Sequence, residues 1–343
     1  MKKSLMTLGV LALFVLMAYG QEKKFALYSV AFYNMENLFD TIHDEGKNDY
    51  EYLPNGTNQW NTMKYKAKLK NMSEILSMLS TDKLPMGPAI IGVSEIENYR
   101  VLEDILKQPA LADRGYQYVH YEGADQRGVD CAFFYNPKLF ELTNSKLVPY
   151  VYINDTVHKT RGFLIASGNI AGEKMHFIVN HWPSRAAASP ARERAGEQVR
   201  AIKDSLLRED SAAKIVIMGD MNDDPMDKSM AVALGAKRKP ADVGPTDLYN
   251  PWWDTLKKGY GTLMYKGKWN LFDQIVFTGN LLGTDRSTLK FYKHEIFRRD
   301  FMFQKEGKYK GYPKRTQAGG VWLNGYSLSL IHISEPTRRS YIS

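Results

Sequence analysis

Six short apolar runs constrain what this chain can fold into. They are FALYSVAFY (25–33), AIIGV (89–93), VDCAFFY (129–135), KMHFIVN (174–180), AKIVIMG (213–219) and FDQIVF (272–277). Each is rich in Val, Ile or Phe and too short for a stable helix, so each is predicted to be a buried strand. Two longer segments carry apolar residues at helical spacing. Leu69, Met72, Ile75, Leu76 and Leu79 mark one face of 62–79; Ala195, Val199, Ile202 and Leu206 do the same in 191–208, behind a Pro190 suited to a first helical turn. Strands separated by helices and polar loops predict a layered α/β domain. No internal repeat or low-complexity linker divides 25–327, so one domain is expected.

That core has to form without disulfides, because Cys131 is the only cysteine. It lies inside VDCAFFY and reads as a buried, inert thiol. The chain starts MKKSLMTLGVLALFVLMAYGQ: two lysines, an apolar run too short to span a bilayer comfortably, then a small-x-small site. This layout predicts a signal peptide over residues 1–20 and a secreted or periplasmic protein, with no membrane span remaining after cleavage; an uncleaved membrane anchor is the alternative reading. A monomer is expected. The formal net charge is +8 and stays positive once Lys2 and Lys3 leave, which suits an anionic partner. Segment 292–315, YKHEIFRRDFMFQKEGKYKGYPKR, interleaves basic and aromatic residues. Such a segment can grip a phosphate backbone and stack on bases, or can be a solvated surface excursion.

Polar residues at the strand ends point to chemistry. Asn34 comes directly after the first run, Glu95 after the second, His181 after the fourth, and Asp220 and Asn222 after the fifth, while Asp273 starts the sixth. Singly, each has an ordinary structural explanation: a turn, a helix cap, a packed histidine, a hydrogen-bond acceptor. Together, beside buried strands, they predict one shared site at a sheet edge. Attack of water on a phosphate ester fits this set. A hard cation such as Mg²⁺ takes oxygen ligands, with Glu95 as the candidate. His181 and Asn222 can hold phosphoryl oxygens as charge develops, and Asp220 can position the nucleophile or handle a proton.

The ordered elements YNMENLF, GVSEIEN, RGVDCAFFYNP, NHWPSR, GDMNDDP and FDQIVF resemble the endonuclease/exonuclease/phosphatase family, in its deoxyribonuclease-like, exported bacterial form, from about Phe25 to Ser327. The resemblance implies a four-layer αββα sandwich of two mixed sheets. It implies a divalent-metal-dependent phosphodiesterase using Mg²⁺, with Mn²⁺ or Ca²⁺ as alternatives. Nucleic acid is the first substrate class. A phosphatase acting on inositol phosphates, or a phospholipid-headgroup phosphodiesterase, is the alternative. A membrane-active version calls for an exposed apolar hairpin, for which Trp252-Trp253 is the one hint. The implied roles place Glu95 and Asn34 at the metal, Asn34 holding the carboxylate or a metal-bound water. His181 contacts the scissile phosphate or assists the leaving group. Asp220 and Asn222 orient the nucleophile and phosphate, Asp273 orients a catalytic histidine, and Arg127 faces the phosphate.

The family closes with a strand preceded by Ser-Asp-His, the histidine being the general base. Here GGVWLNGYS is succeeded by Leu328 and Ser329 where that Asp and His are expected. His332 stands in an unrelated context and inherits no role. LSLIHISEPTR resembles a translated transposon-end adapter of the kind used in sequencing libraries, so 328–343 is read as foreign sequence joined at Ser327. The domain over 21–327 is therefore expected to lack its last strand, leaving a neighbour unpaired. It is also expected to lack its base, a deficit of about 10²–10⁴ in rate. Were the tail genuine, a non-catalytic nucleic-acid-binding module would be the better reading.

Overall fold

The computed structural model describes residues 25–153, 157–327 and 329–339, so the signal-peptide expectation lies outside the described residues. The first elements, in chain order, are β1 (Phe25–Leu27), β2 (Val30–Leu38), α1 (Thr62–Met78), β3 (Ile90–Ile96), α2 (Tyr99–Leu106), β4 (Gln117–His120), β5 (Asp130–Tyr135), β6 (Glu141–Val148), β7 (Phe163–Ile170), β8 (Glu173–His181), α3 (Ser189–Glu209) and β9 (Lys214–Asp220). Then come β10 (Ala236–Lys237), β11 (Leu248–Tyr249), α4 (Trp252–Lys257), β12 (Leu263–Tyr265), β13 (Lys268–Asn270), β14 (Asp273–Thr278), β15 (Lys290–Phe297), β16 (Gln317–Ala318), β17 (Val321–Trp322) and β18 (Ile331–Arg339).

Two mixed sheets dominate. One runs β15–β18–β2–β3–β5–β4, with β1 beside the far end of β18; the other runs β10–β11–β14–β9–β8–β7–β6. The pairs β2/β3 and β8/β9 are parallel inside otherwise largely antiparallel sheets. Side-chain alternation assigns each strand face to a layer. In β2, Ala31 and Tyr33 face α1 and α2, while Val30 and Phe32 face the other sheet. In β9, Val216 and Met218 face the first sheet, and Ile215 and Ile217 face α3. Strands buried on both faces need no polar positions, which is why their sequences are continuous apolar runs. The layers are therefore helix, sheet, sheet, helix, the expected αββα sandwich. At Gly92 the sheets approach so closely that a Cβ would meet Met218 Sδ at 2.6 Å. Among the described residues, no helix is long and apolar enough to cross a membrane.

The C-terminal segment departs from expectation. Ile331–Arg339 does form a strand, pairing with β15 on one side and with β2 and β1 on the other, so β2 is not left unpaired. Leu330, Ile331 and Ile333 supply enough buried apolar surface to seat it. The fit is poor chemically. Both ring nitrogens of His332, the hydroxyls of Ser334 and Thr337, and Glu335 Oε2 are buried without a hydrogen-bond partner. Strand pairing is a backbone property that most sequences can supply, whereas satisfying a buried polar side chain needs a specific partner.

Candidate active site

The polar cluster sits where β2, β3, β8 and β9 end and β14 begins. In β3 the register against β5 shifts between Ser94 and Ile96, so Glu95 is the extra residue of a bulge. A bulge re-aims a side chain, and this one carries Glu95 out of the strand's alternation with φ 59°. β2 is likewise irregular between Asn34 and Leu38, and Glu36 (φ 47°), Asn37 (φ 54°) and Asn222 (φ 51°) adopt the same left-handed backbone. Such non-glycine residues store strain that the surrounding structure has to hold in place. Their concentration around one cluster marks it as built for function.

Ligand-capable atoms of Glu95, His181 and Asp220 lie within 4.8 Å of one another. Asn34 organises them: its Nδ2 donates to Glu95 Oε1 at 2.9 Å and to Asp220 Oδ2 at 3.0 Å. Its oxygen accepts from the Glu36 backbone N–H at 2.7 Å, which fixes the amide orientation. Asn34 therefore reaches the cluster through nitrogen and holds the carboxylates rather than lending an oxygen ligand of its own. Asn37 N–H adds a bond to Glu95 Oε2 at 2.8 Å. Asp220 accepts from Asn222 N–H at 2.9 Å, while Asn222 Nδ2 donates to the Trp182 carbonyl at 3.0 Å, locking the β8 and β9 ends together.

Burial, with the charge of Glu95, raises the Asp220 carboxyl to about 6, against the lowering effect of its hydrogen bonds and of Arg161. Burial, then Arg161 and Arg127, hold His181 well below the usual histidine range, so its imidazole is neutral. Its Nε2 stands 3.8 Å from Glu95 Oε1 and its Nδ1 has no partner. A neutral imidazole and two carboxylates around one point form an N/O donor set that fits a divalent cation. Replacing Asn34 with Leu removes a donor from both carboxylates. We expect the Asp220 titration, followed by carboxyl ¹³C shifts, to move above its value of about 6; an unmoved midpoint would contradict the bridging role.

Asp273 pairs with Asp220 across β14 and β9. It is fully buried and neither oxygen has a hydrogen-bond partner. Burial and Asp220 push its carboxyl well above the usual range, only partly offset by the Thr262 and Ser329 hydroxyls beside it. Those hydroxyls lack well-formed bonds as well. Arg127 is half exposed and bonds Asp125 Oδ1 at 3.3 Å, outside the carboxylate cluster. The buried arginine at the site is Arg161, which reading for strand ends did not single out. It donates to Asp125 Oδ2 at 2.8 Å and to the Trp182 carbonyl at 3.0 Å. Its signal was a charge placed just before the apolar strand β7.

Two face-to-face mixed sheets with a carboxylate–histidine cluster at their shared edge define a deoxyribonuclease-like phosphoesterase architecture. The Endonuclease/Exonuclease/phosphatase family model matches residues 29–333, and the chain belongs to that family, whose members hydrolyse phosphate esters. Among solved structures, it is similar to an endonuclease/exonuclease/phosphatase family protein from Bacteroides thetaiotaomicron (14% identity, 94% of this chain and 100% of that one, TM-score 0.57). It is similar also to a B. thetaiotaomicron mannosyl-6-phosphatase (13% identity, 90% and 99%, TM-score 0.56). A third is D. rerio TDP2 complexed with a single-strand DNA product (14% identity, 91% and 99%, TM-score 0.54). At such identities the likeness is one of fold. No curated protein matches the chain by sequence.

Proposed function

We propose that this chain is a divalent-metal-dependent phosphodiesterase whose substrate is nucleic acid. The observation that carries the reading is the convergence of Glu95, His181 and Asp220 within 4.8 Å. Glu95 and Asp220 would hold the cation through oxygen, and when bound it supplies charge to a phosphoryl oxygen. Asn34 keeps the two carboxylates oriented, neutral His181 faces the developing phosphoryl charge, and Asn222 holds the end of β8 that carries His181 through the Trp182 carbonyl. The basic-aromatic excursion supports a polyanionic substrate. It is anchored beside the cluster through Arg315, which donates to Glu36 Oε1 at 2.7 Å, and it exposes Lys305, Lys308, Lys310 and Tyr309. Trp252 is fully buried and donates to the Ile275 carbonyl at 2.8 Å, so it is core and not a membrane hairpin.

A second reading has its own observation. The cleft beside Glu36 and Asn37 is lined by Glu51, Asn58, Arg315 and Gln317, uncharged amides and a carboxylate among them, which suit a hydroxyl-rich leaving group such as a sugar. In either case Ser329 occupies the place facing Asp273, and we propose that turnover in this chain is slow for want of a base there. We further propose that residues 1–20 direct export and are removed, which mass measurement of the exported protein checks. The foreign origin of 328–343 is tested by reading the source DNA across the Ser327 codon from a library made without transposon adapters.

The functional test compares single-stranded DNA, a hexose phosphate and sphingomyelin vesicles as substrates, with Mg²⁺, for the wild type and Glu95→Gln. Slow Mg²⁺-dependent DNA cleavage, lost in Glu95→Gln, is expected; cleavage of the hexose phosphate alone would move the second reading ahead. Mg²⁺ at about 100 times its dissociation constant should also stabilise the folded chain by about 2.7 kcal/mol. Thermal melts of Glu95→Gln should lack most of that increment.

A further inference from the structure

A second donor cluster lies at the turn between β4 and β5, where Asp130 pairs with Ile96, the neighbour of Glu95. His120 ends β4, Asp130 starts β5, and Glu122 lies in the connection between them. Ligand-capable atoms of the three fall within 4.8 Å of one another, and the cluster shares no residue with the active-site set. The side chains of His120 and Asp130 are 5% and 4% exposed. His120 Nε2 has no hydrogen-bond partner although it is buried and aimed at Asp130. A buried ring nitrogen left unpaired is unfavourable, so its orientation calls for an explanation.

The spacing supplies one. His120 Nε2 is 3.5 Å from Asp130 Oδ2, longer than the roughly 2.7–3.2 Å of a normal N–H···O bond. Two ligands each about 2.0–2.1 Å from a tetrahedral ion stand roughly 3.3 Å apart. The gap is therefore that of two ligands around an ion and not of a donor on an acceptor. Asp130 is fixed independently, because Gly123 N–H donates to its Oδ2 at 3.0 Å. Glu122, with its side chain 55% exposed, can adjust to complete the set. Lys47 supplies some positive charge to it at 3.9 Å, but its ammonium is held by the carbonyls of Gly123 at 3.0 Å and Asp125 at 3.4 Å.

We propose that His120, Glu122 and Asp130 form a Zn²⁺ site, with one imidazole and two carboxylates as protein ligands and a fourth position left to water. A set containing histidine favours zinc over magnesium, which prefers oxygen alone. The ion would pin the connection 121–129 to the sheet. That connection carries Asp125, which pairs with both Arg127 and Arg161, so the zinc would steady the arginines that border the active site.

The test is zinc stoichiometry by equilibrium dialysis and elemental analysis on the full chain. Glu122→Gln replaces an exposed residue and should fold as the wild type does; it is expected to lose one equivalent of Zn²⁺ at equal free zinc. His120→Gln should lose the same equivalent, and Glu95→Gln should retain it, which separates this site from the catalytic one. Equal zinc content in the wild type and Glu122→Gln, or loss of all zinc in Glu95→Gln, overturns the proposal and leaves His120–Asp130 as a plain structural pair.

Discussion

Replacing Leu328 with Asp and Ser329 with His is expected to raise phosphate-ester hydrolysis by about 10²–10⁴ over the chain as it stands, the usual contribution of a positioned general base. The structure supplies the reason at position 329. Asp273 is buried, carries no hydrogen-bond partner on either oxygen, and faces a Ser329 hydroxyl that is itself unpartnered. A carboxyl so placed is held well above the usual carboxylate range, because burial and Asp220 outweigh the help of the Thr262 and Ser329 hydroxyls. An imidazole at 329 would donate to it, draw it back toward the carboxylate, and present its other nitrogen toward Asp220, which pairs with Asp273 across the sheet. The proton acceptor missing beside the cluster would then be in place. Initial rates on a chromogenic phosphodiester, with and without Mg²⁺, measure the gain. Asp273→Asn in the double variant should remove most of it. A double variant no faster than the parent, or one indifferent to Asp273→Asn, would show that the deficit lies elsewhere.

The sequence made the fold legible for a physical reason. Strands buried on both faces leave unbroken apolar runs, and all six of those found became β2, β3, β5, β8, β9 and β14. Most strands that escaped notice are edges or half-exposed; the exception is β7, FLIASGNI, largely buried between β6 and β8, whose Ser, Gly and Asn interrupt its apolar run. β6, with ELTNSKLV mostly exposed or half-buried, has no apolar run to detect. The site was legible because polar residues at the ends of buried strands have few reasons to be there, and Glu95, His181, Asp220 and Asn34 do meet. What could not be read was how they are aimed. The bulge at Glu95 and the left-handed backbones at Glu36, Asn37 and Asn222 come from tertiary packing, since local propensity disfavours them. Arg161 escaped because its partners, Asp125 and the Trp182 carbonyl, are distant in sequence. The last strand was misjudged because its side chains argue against burial while its backbone pairs readily.

That mismatch predicts acid sensitivity with a named source. His332 is fully buried, with its ring 3.9 Å from that of Trp252, and neither nitrogen has a partner. Burial, with His294 adding like charge, holds its folded pKa well below the ordinary value of 6.5. The unfolded chain takes up a proton near that ordinary value and the folded chain does not. Below pH about 6.5 the unfolded state therefore binds more protons and stability falls as pH falls; above it this contribution is fully present. His294, lowered to about 4 chiefly by burial, adds to the same acid limb down to that pH. His332→Phe keeps a ring against Trp252 and removes both unpartnered nitrogens. It should stabilise the fold by about 1–3 kcal/mol at pH 7 and by more at pH 5, leaving a shallower limb that His294 still shapes. Urea unfolding of both proteins at the two pH values measures this. A Phe variant less stable than the wild type at pH 7, or with the same loss between pH 7 and 5, would mean that His332 is satisfied in the folded state and that the C-terminal strand belongs to this core as fully as β2 does.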